Sequence, residues 1–324
     1  MAMPRSWRGA PALEGPFRAR REDIPGLNEV FSDAFTERYR RDGMVGVRVP
    51  YLNPSVWRYA IDDADEAAFF WRGSRGEVAA FNMVHRSGVE GWMGPLAVRD
   101  DYQGHGAGKA IVRHGIEWLK AAGATVIGLE TMPRTMDNIG FYSSLGFVPG
   151  RLTITTTLEA APAAVAPELL SRMHGAERER AIAECAALVD ALMPGYDFTR
   201  EILLTDELSL GDTLFLRRDG AMTGFALCHT VSLVEGRPRE ELRVLKLAVA
   251  SDADVEPLVV QLRDLARRSG TRRVAIRVQG QYEAFYARLV AMGARVRWTD
   301  LRMALAGYAE RMSTRGVVLS NWEI

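Results

Sequence analysis

Gln103-Gly104-His105-Gly106-Ala107-Gly108-Lys109 combines residue types that can grip an anion. The run follows the apolar stretch Met93 to Val98 and opens the amphipathic stretch Ala110 to Ala122. A strand, a glycine-rich turn and a helix in that order expose the first helical N–H groups, which lack intrahelical partners, at the positive end of the helix dipole. Glycine lets the backbone approach an anion with no Cβ in the way. The spacing excludes two common nucleotide loops. A P-loop has four residues between its glycines and a Ser or Thr after its lysine; here Gly104 and Gly108 are closer, and Ala110 follows Lys109. A Rossmann turn spaces its glycines unevenly, whereas Gly104, Gly106 and Gly108 alternate.

The pattern Gln103-x-x-Gly106-x-Gly108 resembles the acetyl-CoA pyrophosphate loop of the GNAT superfamily of acetyltransferases. Downstream, Asn138-Ile139-Gly140-Phe141-Tyr142-Ser143-Ser144-Leu145-Gly146-Phe147 is similar to that superfamily's second signature, an Asn followed by Phe-Tyr and Leu-Gly-Phe. A helix and the strand Thr125 to Glu130 lie between the two, as the GNAT order requires.

The resemblance implies an acyltransferase that moves an acetyl group from acetyl-CoA to a primary amine of a small molecule, by direct attack on the thioester. Two other readings stay open: a non-catalytic acyl-CoA-binding sensor or interaction protein, and a protein N-terminal acetyltransferase. It implies that the strand Trp92 to Val98 carries a bulge and splays from Thr125 to Glu130. The pantetheine arm would then lie in the gap like an added strand, along Leu96, Ala97 and Val98. Pro95, which has no N–H to donate, suits such a break.

The same resemblance places the diphosphate on the amides of His105, Gly106, Ala107, Gly108 and Lys109, with Arg99 or Lys109 as candidates to add charge, counts Gln103 and Gly104 among the cofactor-binding residues, and sets Asn138 beside the pantetheine arm. Tyr142 matches the tyrosine that donates to the departing sulfur, and the Val98 N–H would serve the oxyanion. Packing of Tyr142 beside Phe141 is the plainer alternative. Many GNAT enzymes carry a glutamate in the strand corresponding to Met93 to Val98; this chain has none. Glu130 followed by Asn138 and Tyr142 resembles the ribosomal-protein alanine acetyltransferase branch, in which a glutamate so placed is the base. The alternative is a solvated strand end. Glu90 and His85 are further candidates acting through water. No metal site is expected.

The elements that must position these residues read as two similar halves, giving an α/β (α+β by some schemes) fold class. Each half is a GNAT-like domain with a mixed, mostly antiparallel twisted sheet flanked by helices. Residues 1–15 are expected as a flexible arm, 16–158 as the acetyl-CoA-binding domain, 159–167 as an Ala- and Pro-rich linker, and 168–324 as the second domain. In the first half Phe17 to Arg20 reads as a strand, Asp23 as an N-cap, Ala67 to Trp71 and Val78 to Val84 as a hairpin, and Phe147 to Leu158 as the closing strand.

Leu247-Ala248-Val249 repeats Leu96-Ala97-Val98, and Phe285-Tyr286 repeats Phe141-Tyr142. Where the first half has its glycines, the second has Ser251 to Pro257, with no glycine and three carboxylates that would repel a diphosphate. The second domain therefore reads as degenerate. The tandem arrangement resembles mycothiol synthase, in which the active copy is the other one. Aromatic and acidic residues Phe35, Tyr39, Tyr51, Trp57, Tyr59, Asp62, Asp63, Asp65 and Glu66 fall where an acceptor wall would be; ordinary solvated charges are the alternative. Gly316 to Ile324 alternates like a strand.

The chain has 324 residues, 48% of them hydrophobic, with 41 basic and 41 acidic side chains. Zero net charge argues against nucleic acid as a partner. Cys185 and Cys228 form no disulfide framework, which suits a cytoplasmic location, and no apolar run is long enough for a membrane span. A homodimer is left open.

Overall fold

A computed structural model describes residues 13–322. In the first half, β1 (Glu14–Arg18), α1 (Ile24–Arg41) and α2 (Pro54–Ala64) precede β2 (Ala68–Arg72), β3 (Val78–Ser87) and β4 (Glu90–Val98). There follow α3 (Ala107–Ala121), β5 (Val126–Thr131), α4 (Met136–Ser143) and β6 (Phe147–Glu159). The second half has a short β7 (Glu168–Leu169), then α5 (Gly175–Leu192), α6 (Thr199–Glu207), β8 (Gly211–Arg218), β9 (Ala221–His229) and β10 (Glu241–Val249). It ends with α7 (Val255–Arg268), β11 (Arg273–Gln279), α8 (Glu283–Ala291), β12 (Arg295–Leu305) and β13 (Val317–Ser320).

The same order of elements thus recurs, but the strands are not kept apart by halves. One sheet runs β1-β2-β3-β4-β5-β12-β6-β11-β10-β9-β8-β7. β12 pairs antiparallel with β5 (Leu301↔Thr131 to Ala304↔Gly128) and, on its other edge, with β6. β6 also pairs with β11, so it does not close the first half's sheet: both its edges belong to strands of the second half.

Side-chain alternation gives this sheet two usable faces. On one face Ile111, Val112, Ile116 and Leu119 of α3 pack on Val84, Met93, Ile127 and Leu129. In the second half Leu258, Leu262 and Phe285 pack similarly on Leu247, Val274 and Ile276. The opposite faces of the two halves meet in a shared core, where Trp57, Phe81 and Trp92 join Phe198, Phe225 and Val318.

The stretch before the hairpin is a helix rather than an acceptor wall. Asn53 accepts a hydrogen bond from the Ser55 N–H, Pro54 occupies the first turn, and Val56, Trp57, Ala60 and Ile61 are buried on the sheet. Trp57, Tyr59 and Asp63 are therefore interior residues, and only Phe35 of the nine proposed wall residues borders the groove described below. Asp23 stands at the start of α1, but its carboxylate accepts from the Arg20 N–H instead of capping the helix.

Candidate active site

β4 and β5 run parallel with paired residues from Glu90↔Val126 to Met93↔Leu129 and no further. At that point β4 bulges: Met83 of β3 stands opposite both Gly94 and Pro95, because Val84 pairs with Met93 and Asn82 with Leu96. Leu96, Ala97 and Val98 remain bonded to β3 on one edge, and their other edge faces a gap. The expected splay is thus present. Along the gap runs a groove of about 450 Å³.

Leu96, Ala97, Val98, Gln103, Gly104, Gly106, Gly108, Lys109, Asn138 and Tyr142 all border it. His105 and Ala107 sit in the same loop and first turn without forming its wall. Gly106, at φ +86°, occupies the left-handed region at the N-cap of α3. A Cβ on Gly108 would lie 3.3 Å from the Phe141 ring, so the close approach of α3 to α4 depends on this glycine. Gln103 Nε2 donates to the Val98 carbonyl at 2.7 Å and ties the loop to the end of β4.

The opposite wall comes from α1, which the sequence reading did not connect to the loop. Ala34, Arg38 and Arg41 share one helical face on the groove. Arg41 pairs with Asp100 and donates to Gln103 Oε1 at 3.2 Å. Arg38 bridges Asp42 and, at 3.2 Å, Asp137 of α4. The i, i+4, i+7 spacing marks a face, but nothing in sequence said what that face would meet. Lys109 forms no ion pair among the described residues, so a cation stands free at the start of α3.

Tyr142 lies half-buried at the groove, edge-on to Phe141 and Phe147 at 5.0 and 6.0 Å. Burial pushes its hydroxyl up to about 12, so it stays protonated and able to donate at neutral pH. Asn138 also reaches the groove, and its Nδ2 is 3.4 Å from Thr131 Oγ1.

Glu130 is placed elsewhere. Its side chain is buried between β5, β6 and β12, receives hydrogen bonds from Thr153 Oγ1 at 2.5 Å and Arg302 Nη1 at 3.1 Å, and pairs with Arg277. Burial alone would raise its pKa, but the charges of Arg277 and Arg302 and the Thr153 bond hold it below the usual carboxylate range. It does not border the groove, and both of its oxygens are engaged by Thr153, Arg277 and Arg302, which argues against the role of base.

The other two candidates are also engaged. Glu90 accepts from Ser320 Oγ at 2.5 Å and Trp322 Nε1 at 2.9 Å. His85 Nδ1 meets Asp63 Oδ2 at 2.6 Å and its Nε2 meets the Gly94 carbonyl at 3.0 Å. Glu37 does border the groove, but hydrogen bonds from Arg40 and Arg41 hold it down to about 2.

The second half builds a different site from the same strands. β10 and β11 pair in parallel from Glu241↔Arg273 to Val244↔Ile276 and then part. There β13 pairs antiparallel with β10, from Lys246↔Ser320 to Val249↔Val317, on the edge that the first half leaves free. Gln279 of β11 donates to the Ser320 carbonyl at 3.1 Å and closes the other side. At the start of α7, Asp254 is buried and accepts from Arg218 and Ser251, each at 2.6 Å.

Residues 27–147 match the sequence model of the Acetyltransferase (GNAT) family. The chain is 30% identical over 89 residues to the [Ribosomal protein bS18]-alanine N-acetyltransferase of Escherichia coli (strain K12), covering 28% of this chain and 60% of that relative. Over nearly its whole length the fold is similar to solved structures. A tandem GNAT protein from the clavulanic acid biosynthesis pathway has a TM-score of 0.60 at 13% identity, with 90% of this chain and 98% of that one covered. A GCN5-related N-acetyltransferase from Sphaerobacter thermophilus has a TM-score of 0.57 at 14% identity, with 98% and 100% covered. No helix among the described residues is long and apolar enough to cross a membrane. Residues 27–147, with their open strand gap and glycine loop, are thus the part of the chain that is similar to the acetyltransferase (GNAT) family.

Proposed function

We propose that the first half is an acetyl-CoA-dependent N-acetyltransferase acting on a primary amine of a small molecule, and that the second half is a degenerate copy with no cofactor site. The observation that carries this reading is the free edge of Leu96, Ala97 and Val98, which runs from the glycine loop toward Tyr142. The groove fits the cofactor in kind. Backbone N–H groups at the start of α3 and the free Lys109 suit the diphosphate, and an unpaired strand edge suits the two amides of pantetheine.

Acetyl-CoA, when bound, supplies an acyl thioester to the attacking amine. The chain's residues would then hold it in place, with the edge of β4 fixing the arm and the Val98 N–H donating where negative charge develops. Tyr142, kept protonated by burial, would donate to the sulfur as it leaves. Glu130 is assigned instead to holding β5, β6 and β12 together with Arg277 and Arg302. The two carboxylates that border the groove among the described residues, Glu37 and Asp137, are paired with Arg40 and Arg41 and with Arg38, so the amine's proton would pass to solvent.

CoA release from acetyl-CoA, measured against a panel of small amines and of peptides with free N-termini, tests the reading. Turnover on small amines supports it. Turnover confined to peptides would favour the N-terminal acetyltransferase alternative, toward which the name of the Escherichia coli relative points. Binding with no turnover on either panel would favour the sensor.

A further inference from the structure

Behind the bulge of β4 lies a buried pair that takes no direct part in this chemistry. His85 of β3 is fully buried and stacks on Trp92, with centroids 4.0 Å apart and planes 14° from parallel. Its Nδ1 faces a carboxylate oxygen of Asp63 on α2, and its Nε2 faces the carbonyl of Gly94. The Gly94 carbonyl can only accept, so the bond at Nε2 uses a ring N–H, which leaves Nδ1 facing the Asp63 carboxylate. Asp63 is itself buried, and its second oxygen has Arg200 Nε of α6 at 3.9 Å. Gly94 is one of the two residues that form the bulge.

The second half supplies a comparison. Phe81 pairs with Ala97 and Phe225 with Ala248, and a histidine follows each phenylalanine at the same interval, His85 and His229. His229 is also buried, but its Nε2 meets Thr205 Oγ1 at 3.0 Å and its Nδ1 has no hydrogen-bond partner. It has no carboxylate partner and holds no carbonyl of β10. The copy with the open gap has the carboxylate, the imidazole and the clamped carbonyl together.

We propose, resting on the acyl-transfer reading above, that His85 held by Asp63 is a positioning residue for the reaction. It clamps the Gly94 carbonyl and thereby fixes the bulge that turns the edge of Leu96–Val98 away from β5. With the clamp lost, the peptide after Met93 is free to shift, and the donors along β4 move relative to Tyr142. The glycine loop, carried on the start of α3 and tied by Gln103 only to the far end of that edge at Val98, keeps its grip on the diphosphate. Misplacement by about 1 Å can cost on the order of 100-fold in rate, whereas binding through the loop is unaffected.

Three variants test this. His85→Phe keeps an aromatic ring against Trp92 and removes both ring nitrogens. His85→Gln restores one N–H, and Asp63→Asn keeps an acceptor for Nδ1. For His85→Phe, kcat should fall about 10-fold or more with acetyl-CoA KM and calorimetric affinity within about 3-fold of the parent. His85→Gln should recover part of the loss, and Asp63→Asn should cost less than His85→Phe. Amide hydrogen exchange at Leu96–Val98 without cofactor should quicken in His85→Phe.

Unchanged kcat, or unchanged exchange at those amides, would overturn the positioning role. So would a loss of rate that merely follows the loss of folded protein in all three variants. A parent chain that neither binds nor turns over acetyl-CoA would overturn the acyl-transfer reading itself, and the positioning role would fall with it. That result is recognised in the parent before any variant is made.

Discussion

β4 and β10 each pair with a parallel neighbour over four residues and then part from it. In the first half the freed edge stays open beside a glycine loop and a tyrosine. In the second, the freed edge of β10 is taken by β13, and the start of the next helix holds buried Asp254. The chain's own tail thus makes the strand-like hydrogen bonds that the first gap leaves available. The same backbone device leaves an open slot in one place and makes an internal joint in the other. What separates the two is whether the sequence supplies a strand to fill the gap.

The largest expected effect breaks the slot. Gly108→Leu places a side chain against Phe141, and Gly106→Val demands a left-handed φ of a β-branched residue. Either should reduce acetyl-CoA affinity by about 100-fold or more, corresponding to roughly 3 kcal/mol. Calorimetry on the parent should show one site per chain; two sites would end the contrast between the halves.

Next comes Tyr142→Phe, which keeps the ring and removes the donor. Turnover should drop by about 10- to 100-fold with acetyl-CoA affinity nearly unchanged. Parental turnover in this variant would take Tyr142 out of the chemistry.

The converse experiment opens the joint. Leu319 of β13 is buried, so Leu319→Ala should cost about 2–5 kcal/mol of stability, read as a fall in Tm. It should create no second acetyl-CoA site, because Asp252, Asp254 and Glu256 still surround the start of α7. A second calorimetric site would show that the tail alone masks a competent slot.

The smallest effect concerns the seam between the halves. Burial raises Glu310 to about 7, with the charges of Glu90 and Glu130 adding to the shift and Arg302 opposing it. Burial also raises Glu201, helped by Asp63 and opposed by Lys246. A carboxyl whose pKa is higher in the folded state binds its proton more tightly there. Its stabilising contribution is therefore full below about pH 4.5 and declines as pH rises toward 7. Tm should fall between pH 5 and pH 8, less steeply in Glu310→Gln. An identical slope in the variant would assign the dependence to other groups.

Much of the slot was legible in the sequence because its parts are local. The glycine spacing, the apolar run before it and the Phe141-Tyr142 pair lie within about 50 residues, and each follows from backbone periodicity or turn chemistry. α2 was missed because its apolar residues were read for what they could bind, not for their helical spacing. The misplacement of Glu130 has a different cause. Its partners Arg277 and Arg302 are 147 and 172 positions away, brought in by strands whose pairing no local pattern encodes. The repeat between the halves announced two similar folding patterns, and it gave no sign that β12 and β6 would cross between them.

That crossing bears on how the molecule is made. Thr131 waits for Leu301, its partner on the outer edge of β5, about 170 residues later, which at 5–20 residues per second is on the order of 10–30 s of synthesis. During that interval the growing chain presents β5 with one edge unsatisfied, and β6 with two. Newly made first halves are thus the stage at which chaperones or neighbouring ribosomes would meet exposed strand edges. Residues 1–159 expressed alone are expected to aggregate or to capture the missing strand when residues 160–324 are supplied in trans.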